Sequence, residues 1–458
     1  MRTISILAIF IFICSLAGGQ ITFEKVFNKG TNAQGHSVIQ TSDNGYVIAA
    51  GTGDWDDEKI FLIRTNAAGD TLWIHEFSGT LRLVFDHAIL LTGDGGFIIC
   101  GQSGNMIYLL KTDSGGDSLW SRNVIAGQAR AIESTFDGGY IICGDSNGIL
   151  LVKTDSAGNM QWNRLIQTPP GVITSYWAFS VKQTPDSGYI VSGAEESGYQ
   201  INSMLLLKTN PNGDSTWMKT YGYINDSQGY SVSVTVDQGY FVCGVMQESG
   251  FHAFAIRLNE MGDTLWLRKI NESGIQYFYS GQTLPGGGFI VCGGTEGPDN
   301  TNEVLLLKFS ENGDILWSNT FNWYDKSWGY CVRQTVDNGY IVTGNTTQTT
   351  SGITDVYLIK TDSNGFITGI YPPSSKKGLI VYPNPATDRV TFRSGGSLPA
   401  GDMPITIYDI FGKPVAEGLL PKGQQEITLE IWNLTAGIYC YGVNQKLQRQ
   451  NGKLVIVK

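Results

Sequence analysis

Two histidines occupy equivalent positions in neighbouring copies of a repeated pattern and are the first candidates for metal chemistry. His36 and His87 each lie ten residues before an aromatic residue that follows a turn, Tyr46 and Phe97 respectively. A zinc site needs at least three protein ligands, and no third ligand has a suitable spacing. We therefore expect both histidines to be structural polar residues, and we predict no cofactor and no metal from them.

The segment from Gly144 to Gly148 reads Gly-Asp-Ser-Asn-Gly and so has the Gly-x-Ser-x-Gly spacing of a nucleophile elbow. That chemistry requires a strand that turns into a helix, so that the serine hydroxyl is exposed. Both flanking segments here are apolar runs typical of strands. The sequence therefore predicts a hairpin at this point and no nucleophilic serine.

Carboxylates are concentrated in short turns and loops. The repeated turns, such as residues 113–117, lack the alternating oxygen ligands of a calcium loop, so we expect these aspartates to cap their own turns. Asp54, Asp56 and Asp57 cluster in one loop and are weak candidates for binding a cation. In a polysaccharide hydrolase or lyase, the acids would be carboxylates near the same end of the fold, namely Asp86, Asp226 and Asp325.

Aromatic rings form the strongest candidate site. The position of His36 and His87 becomes Arg130, Phe179, Tyr230, Tyr279 and Tyr330 in later repeats, and the loops before it add further rings. The predicted ligand-binding residues are Tyr176, Trp177, Tyr223, Tyr230, Tyr277, Tyr279, Trp323, Tyr324, Trp328 and Tyr330. Such rings suit sugars or a peptide, placed off-centre over the fourth to seventh repeats. The alternative is that they only seal contacts between repeats.

The elements that would position these residues recur about every fifty residues. Each copy has an aromatic after an Asp/Gly turn, as at Tyr140, and a tryptophan after a Gly-containing hairpin, as at Trp162. In the fourth copy we predict strands at 179–184, 189–193, 204–209 and 217–221. Repeats of this period made only of strands predict an all-β fold, a β-propeller with seven blades. The last copy lacks its tryptophan strand, so residues 23–27 should complete it beside residues 356–361.

Residues 21–370 resemble WD-repeat propellers in strand order and quinoprotein propellers in the Gly-x-x-x-Trp hairpin. Both resemblances imply architecture and no reaction. A quinone-dependent dehydrogenase is the weaker alternative that this resemblance raises. It would need a calcium-ligand set and a catalytic aspartate, and neither can be assigned in the sequence.

Composition and the N-terminus place the chain outside the cytoplasm. Residues 1–19 have the charged, apolar and small-residue regions of a signal peptide, and no segment is long and apolar enough to span a membrane. The net charge of −10 argues against a nucleic-acid partner. Four of the remaining cysteines occupy one repeat position that favours small buried residues, so we expect free thiols rather than disulfides.

The C-terminal segment has its own motifs. It opens with Tyr382-Pro383-Asn384-Pro385, continues with a Tyr-Asp-x-x-Gly-Lys centre that contains Gly412, and includes Gly437 and Tyr439 before a basic last strand. These residues closely resemble the C-terminal sorting domain of type IX secretion substrates. The resemblance implies export through the periplasm to the cell surface or the medium, with the type IX machinery as partner.

The predicted organisation is a signal peptide at 1–19, a propeller at 20–370, a linker at 371–378 and a small β-sandwich sorting domain at 379–458. With no catalytic constellation in the sequence, the leading functional hypothesis is a non-catalytic binding or adhesion module for glycan or peptide. A secreted polysaccharide hydrolase or lyase is the alternative.

Overall fold

The computed structural model of the protein describes residues 20–28, 32–52, 59–80, 87–167, 174–197, 200–248, 250–270, 274–296, 301–348, 350–367, 379–394, 402–409, 413–445 and 448–458. The predicted signal peptide and linker lie outside these ranges, as do Asp54, Asp56, Asp57, Asp86 and Gly412. The described residues form strands and turns. None of them belongs to a helix long and apolar enough to cross a membrane.

The strands of the repeat region follow one another with short turns. They are β1 (Phe23–Phe27), β2 (Ala33–Gln40), β3 (Tyr46–Thr52), β4 (Lys59–Thr65), β5 (Thr71–Ser78), β6 (Ile89–Leu91), β7 (Phe97–Ser103), β8 (Met106–Thr112), β9 (Ser118–Ala126), β10 (Gln128–Ser134), β11 (Tyr140–Asp145), β12 (Ile149–Thr154), β13 (Met160–Ile166), β14 (Thr174–Gln183), β15 (Tyr189–Ser197), β16 (Gln200–Thr209), β17 (Ser215–Asn225), β18 (Gln228–Val234), β19 (Tyr240–Gln247), β20 (Phe251–Leu258), β21 (Thr264–Lys269), β22 (Gln276–Thr283), β23 (Phe289–Glu296), β24 (Asn302–Phe309), β25 (Ile315–Phe321), β26 (Lys326–Gln334), β27 (Tyr340–Thr347) and β28 (Thr354–Thr361).

These strands form consecutive antiparallel meanders. Five four-stranded sheets are described, β2–β5, β6–β9, β10–β13, β14–β17 and β18–β21, each paired in chain order. Strands β22–β25 and β26–β28 have the same order and are joined by a single parallel bridge, Asn302 with Lys326. Together with β1 they form one eight-stranded sheet. We call the four strands of each repeat A, B, C and D. The repeats are thus all-β and have the meander of propeller blades.

The N-terminal strand completes the last repeat, as predicted. Strand β1 pairs antiparallel with β28, with Phe23 opposite Lys360 and Phe27 opposite Val356. It therefore takes the place of strand D beside a C strand that lies 333 residues away in sequence. This pairing gives β28 hydrogen-bond partners on both sides, since β27 occupies its other edge.

The apolar pattern explains which strands are central. B and C strands such as β3 and β12 are buried at every position, because neighbouring sheets cover both of their faces. D strands such as β5 alternate between exposed and half-buried residues and form the outer edge. A strands contact the A strands of the next repeat, as where the Val232 amide donates to the Ser180 hydroxyl at 3.3 Å.

A ring from each D strand packs on a turn of the next repeat. The Trp73 ring covers Gly116, where a Cβ atom would lie 2.6 Å from Trp73 Cη2, so only glycine fits the position. The same contact recurs in the pairs Trp120–Gly158, Trp162–Gly213, Trp217–Gly262, Trp266–Gly313 and Trp317–Gly365. Phe23 of β1 makes it with Gly69 of the first repeat, 2.6 Å from a Cβ position. The first and last repeats are therefore joined by the contact that joins the others.

Several strands that carry the predicted binding residues are longer than the sequence predicted. In the fourth repeat, A and B are β14 and β15, which extend well beyond the predicted 179–184 and 189–193. The extra residues pair as a long hairpin, for example Trp177 with Ala194. Trp177, Tyr277 and Trp328 therefore lie on strands rather than in the loops where the sequence placed them.

The C-terminal residues form two further antiparallel sheets. They contain β29 (Leu379–Tyr382), β30 (Arg389–Ser394), β31 (Met403–Tyr408), β32 (Pro414–Leu420), β33 (Glu426–Glu430), β34 (Gly437–Gln445) and β35 (Gln448–Ile456). The sheet orders are β29-β30-β33 and β32-β31-β34-β35. Phe392 of the first sheet and Ile405 and Leu454 of the second belong to one hydrophobic cluster.

The six cysteines in the described part of the structure are thiols rather than disulfides, as the sequence predicted. Cys100, Cys143, Cys243, Cys292 and Cys331 are buried, and Cys440 is exposed. Burial raises the pKa of the Cys100 thiol far above its usual range. The buried cysteines therefore act as small apolar side chains.

Candidate functional site

A β-bulge is repeated at one place in the A strands. The pairing register of A with B shifts at the positions occupied by His36, Arg130, Phe179, Tyr230, Tyr279 and Tyr330. A bulge leaves one residue without a partner in the ladder and redirects its side chain. The residues that are equivalent in the sequence repeat are therefore equivalent in the structure as well.

These six side chains contact one another in repeat order, and we call them the belt. The Arg130 guanidinium lies 5.6 Å from the Phe179 ring. Ring centroids are then separated by 5.1 Å for Phe179–Tyr230, 5.4 Å for Tyr230–Tyr279, 5.2 Å for Tyr279–Tyr330 and 6.2 Å for Tyr330–His36. The last of these contacts joins the last repeat to the first. The belt therefore runs without a gap from the A strand of the third repeat to the A strands of the last repeat and the first.

The belt tyrosines are held neutral. Burial raises the pKa values of Tyr230, Tyr279 and Tyr330 above the ordinary tyrosine range, and neighbouring tyrosines raise that of Tyr279 further. These hydroxyls are therefore hydrogen-bonding groups at physiological pH and are not bases.

A second layer of rings lies at the upper end, by which we mean the end of the sheets where B–C and D–A connections occur. Tyr277 stacks on Tyr279 with an interplanar angle of 3° and a centroid distance of 5.7 Å. Trp328 meets both rings edge-on, at 5.7 Å and 6.3 Å. Phe251, 37% exposed, stacks on Tyr277 at 5.5 Å. We call Phe251, Tyr277, Tyr279 and Trp328 the upper patch.

Trp177 stands at the equivalent level in the fourth repeat. Its indole Nε1 donates to Glu196 Oε2 at 2.8 Å, and the Arg130 guanidinium lies 5.5 Å from its ring. A carboxylate and a cation therefore flank this ring, whereas the upper patch is built of rings alone. Contacts through Arg130, Phe179 and Tyr230 of the belt connect Trp177 with the upper patch.

Other predicted residues are placed elsewhere. The Trp323 ring is half-buried, packs on the cluster around Tyr340 and lies 6.5 Å from Tyr357, so it is not the exposed loop ring that the sequence predicted. The Tyr324 amide donates to Thr346 Oγ1 at 3.0 Å. Tyr176 packs against the core between the third and fourth repeats. The side chain of Tyr223 lies outside the described part of the structure.

Sequence reasoning missed a buried ion pair beside the belt. Arg130 Nε donates to Asp145 Oδ2 at 2.5 Å, and Asp145 Oδ1 accepts the Ala178 amide of the next repeat at 3.0 Å. Burial raises the pKa of Asp145, and Arg130 opposes that shift. Asp145 belongs to the Gly-Asp-Ser-Asn-Gly segment, which is the hairpin between β11 and β12 as predicted. The motif therefore links two repeats through its aspartate and does not present a nucleophile.

The lower end, where A–B and C–D turns lie, carries repeated ion pairs. The A–B turn aspartate bonds its own turn and a cation near the end of strand C. The pairs are Asp43–Arg64, Asp94–Lys111, Asp137–Lys153, Asp186–Lys208, Asp237–Arg257 and Asp337–Lys360. The Thr41 hydroxyl, with Arg64, lowers the pKa of Asp43 to about 2. The sequence signal was visible as a Lys or Arg at the next-to-last position of the C strands, followed by threonine in five of the six pairs.

The C–D turns are capped by their own side chains, as predicted. Asp155 Oδ1 accepts the amides of Ala157 and Asn159 at 2.9 and 2.8 Å. Among the described residues, no three His, Cys, Asp or Glu side chains gather in a way that could hold a metal ion. His36 and His87, the predicted histidine pair, have separate surroundings: His36 stacks on Tyr330, whereas His87 Nε2 lies 2.8 Å from Lys182 Nζ.

The C-terminal motif ties the opening of its domain to the last strand. Asn384 Oδ1 accepts the Val455 amide at 2.8 Å, and Ala386 exchanges backbone bonds of 2.8 Å with Val455 and Val457. Both prolines of the motif, Pro383 and Pro385, follow cis peptide bonds. The Tyr439 hydroxyl donates to the Thr435 carbonyl at 2.9 Å. The motif residues therefore maintain the contact between the two ends of this domain.

The repeats and the C-terminal domain together define an exported all-β repeat protein. Residues 380–457 match the family described as "Secretion system C-terminal sorting domain". This segment is a type IX sorting domain, and the protein is exported to the cell surface or the extracellular space. Among curated proteins, none matches the chain in sequence.

Two solved structures are similar to this chain. One is a protein of unknown function from Bacteroides caccae, with 12% identity, 64% of this chain and 94% of that chain covered, and a TM-score of 0.40. The other is described as the structure of the Dos1 propeller, with 15% identity, 76% and 97% coverage, and a TM-score of 0.49. At these scores neither likeness bears on function.

Proposed function

We propose that residues 20–370 form a closed seven-bladed β-propeller that the sorting domain exports, and that its upper end binds a glycan without catalysis. Residues 371–378 would be a linker, and residues 379–458 a small β-sandwich. Ring closure is supported by the pairing of β1 with β28 and by the Phe23–Gly69 contact. It is further supported by the Val336 amide, which donates to Gln40 Oε1 at 2.9 Å between the last repeat and the first.

The observation that carries the binding role is the upper patch. Its rings are half-buried and stand on paired strands, so their orientation is fixed before a ligand arrives. Parallel and edge-on rings about 5–6 Å apart offer flat apolar surface to the faces of sugar rings. Glu196, which accepts a hydrogen bond from the Trp177 indole, offers a partner for hydroxyl groups.

The test is glycan binding by the exported protein and two matched ring variants. Glycans that bind the native protein are found on an array and measured by calorimetry. We expect Tyr277→Ala to weaken binding by about 1–3 kcal/mol, because it removes the centre of the patch. Phe136→Ala removes a ring that is 71% exposed in an A–B turn at the lower end, and it should leave affinity unchanged.

Three results would contradict the proposal. Equal affinity of the native protein and Tyr277→Ala would show that the upper patch is not part of the binding site. Binding of peptides but not glycans would show that the ligand is a peptide. Release of new sugar ends from a bound polysaccharide would favour the hydrolase or lyase hypothesis.

The domain boundaries have their own test. We expect a chain that ends at Ser374 to fold as a soluble propeller but to remain in the periplasm of a host with type IX machinery. Cell fractionation measures this, and a thermal melt of the purified truncated chain reports folding. Surface display of the truncated chain would contradict the assignment of residues 379–458 as the export signal.

A further inference from the structure

The A–B turns of the lower end carry exposed apolar residues at one equivalent position, the second residue of each turn. Phe136, Val236 and Val336 occupy it in the third, fifth and seventh repeats and are 71%, 99% and 77% exposed. Pro185 and Pro285 occupy it in the fourth and sixth repeats and are also exposed. Five consecutive repeats therefore present an apolar residue to solvent at the same place. We call these five residues the lower rim.

The turns that carry the lower rim belong to A strands that contact one another. The Phe136 amide of the third repeat donates to Gln183 Oε1 of the fourth repeat at 2.7 Å. The Thr283 hydroxyl of the sixth repeat donates to the Val234 carbonyl of the fifth repeat at 3.4 Å. These bonds join the ends of neighbouring A strands directly at their turns. The residues of the lower rim therefore stand side by side and are not scattered over the surface.

The turn does not require an apolar residue at this position. Ser42 and Gly93 occupy it in the first and second repeats. The first turn closes like the others, because the Thr41 amide donates to the Gly45 carbonyl at 2.9 Å. Its aspartate forms the same ion pair with a C-strand cation as the aspartate of the third turn. A contiguous set of exposed apolar residues that the fold does not require marks a site of interaction.

The turns around the lower rim are acidic. The seven A–B turns and the seven C–D turns contain six and ten Asp or Glu residues, respectively, and no Lys, Arg or His. The cations that pair with these carboxylates stand on the adjoining strands, as Lys208 does on strand C and Lys219 on strand D. The Asp186 side chain is 60% exposed, whereas that of its partner Lys208 is 10% exposed. The turns therefore present negative charge to solvent.

The combination of apolar and acidic surface selects one class of partner. Nucleic acids and anionic lipids carry phosphates, which the acidic turns repel. Two lower ends repel each other for the same reason, and the net charge of −10 adds to that repulsion. A polypeptide segment with basic and apolar side chains complements both features, because its cations match the carboxylates and its apolar side chains cover the rim.

We propose that the lower rim and the acidic turns around it form a docking surface for a basic, apolar segment of a partner protein. The lysines or arginines of that segment contact the aspartates of the A–B turns, and its apolar side chains contact Phe136, Val236 and Val336. The surface lies at the opposite end of the sheets from the upper patch. Binding of the partner is therefore independent of the proposed glycan site.

The experiment measures binding of a synthetic peptide, in which lysine alternates with leucine, to the purified protein by calorimetry. We expect binding that weakens in about 1 M salt, where the Debye length is about 3 Å. The combined variant Phe136→Ser, Val236→Ser and Val336→Ser keeps every charge and should bind about tenfold more weakly, because apolar contacts are lost. Serine is the residue that the first repeat has at this position, so the variant should melt like the native protein.

Three further comparisons are controls. The combined variant Leu165→Ser, Ile275→Ser and Ile353→Ser removes exposed apolar residues outside these turns and should leave affinity unchanged. A peptide in which glutamate replaces lysine, and one in which serine replaces leucine, should bind much more weakly than the original peptide. Tyr277→Ala should bind the original peptide normally, which separates this surface from the upper patch.

Several outcomes would overturn the proposal. Equal affinity of the native protein and the Phe136, Val236 and Val336 variant would show that only non-specific charge attraction holds the peptide. The absence of binding at millimolar concentration, or equal binding of the glutamate peptide, would also reject it. Loss of binding in Tyr277→Ala would place the peptide at the upper patch. Self-association of the native protein in sedimentation, or its binding to phosphatidylglycerol vesicles, would replace the partner by a second copy or a lipid surface if the rim variant abolished it.

Discussion

The two ends of the repeats differ in how strictly each copy follows the others. At the lower end, six of the described A–B turns make the same aspartate–cation pair, with the cation nearly buried each time. At the upper end, the equivalent bulge position holds histidine, arginine, phenylalanine or tyrosine. The uniform ion pairs of the lower end maintain the geometry that all repeats share. The variable residues of the upper end stand on the same rigid scaffold, which is the usual arrangement of a recognition site.

Breaking the contact between the first and last repeats should have the largest effect. Phe23 is 3% exposed, so Phe23→Ala removes a buried ring from the junction and should lower the free energy of unfolding by about 3–5 kcal/mol. Chemical denaturation of the purified protein measures it. Leu72→Ala, at a residue 57% exposed in β5, is the control and should change little. Equal stability of the two variants would mean that the junction is not closed by β1.

The same strand should make stability depend on pH. Burial raises the pKa of Glu24 from 4.5 to about 7, and the hydrogen bond from the Tyr357 hydroxyl opposes that shift. Between these values the folded state holds a proton that the unfolded state has released, so stability falls as pH rises from 4.5 to 7 and then levels off. The loss is at most about 3 kcal/mol.

Two variants isolate this effect in unfolding measurements across the pH range. Glu24→Gln should remove the decline and be the more stable protein at pH 8. Tyr357→Phe should move the decline to higher pH, because the bond that favours the charged form is gone. An unaltered decline in Glu24→Gln would assign it to other groups.

The ion pairs of the lower end are tested at Lys360, the most buried of their six cations. Lys360 is 1% exposed and donates to both oxygens of Asp337, at 3.1 and 3.0 Å. Asp337→Asn should therefore cost about 1–3 kcal/mol of stability, since a buried ammonium loses its counter-ion. Asp263→Asn, which breaks the exposed pair with Lys219, should change stability little. Similar losses in the two variants would show that burial of the cation is not decisive.

The smallest effect on stability is expected at the upper end. Tyr277→Ala leaves the ladder of β22 intact and removes one stacked ring, so it should cost about 1 kcal/mol. Thermal melting measures this in parallel with glycan binding. A loss of stability as large as that of Phe23→Ala would mean that the rings of the upper patch serve the packing of the repeats. The two ends would then not differ in role.

The sequence was most informative where a position repeats. Period, turn residues and the missing tryptophan strand predicted the meanders and the pairing of β1, because each depends on local chemistry that every copy shares. Trp323 lies in a loop, as predicted, but its ring is half-buried rather than exposed, and Trp177 lies on a strand rather than in the predicted loop. Side-chain burial and hairpin extension depend on neighbours that a single repeat does not reveal. The bond from the Ala178 amide to Asp145 was not foreseen for the same reason: it joins residues of different repeats.

The pairing of β1 with β28 also sets an order of events during folding. The two strands are made at opposite ends of the repeat region, and Glu24 and Tyr357 are 333 residues apart. Closing a loop of that length costs only about 2 kcal/mol more than closing one repeat, but it must wait until the last repeat exists. Until then β28 has a free edge and Gly69 lacks its ring. In the proposed closed ring, the two ends therefore join only after the last repeat has been synthesised and has crossed the inner membrane, so resistance to unfolding develops in a single late step.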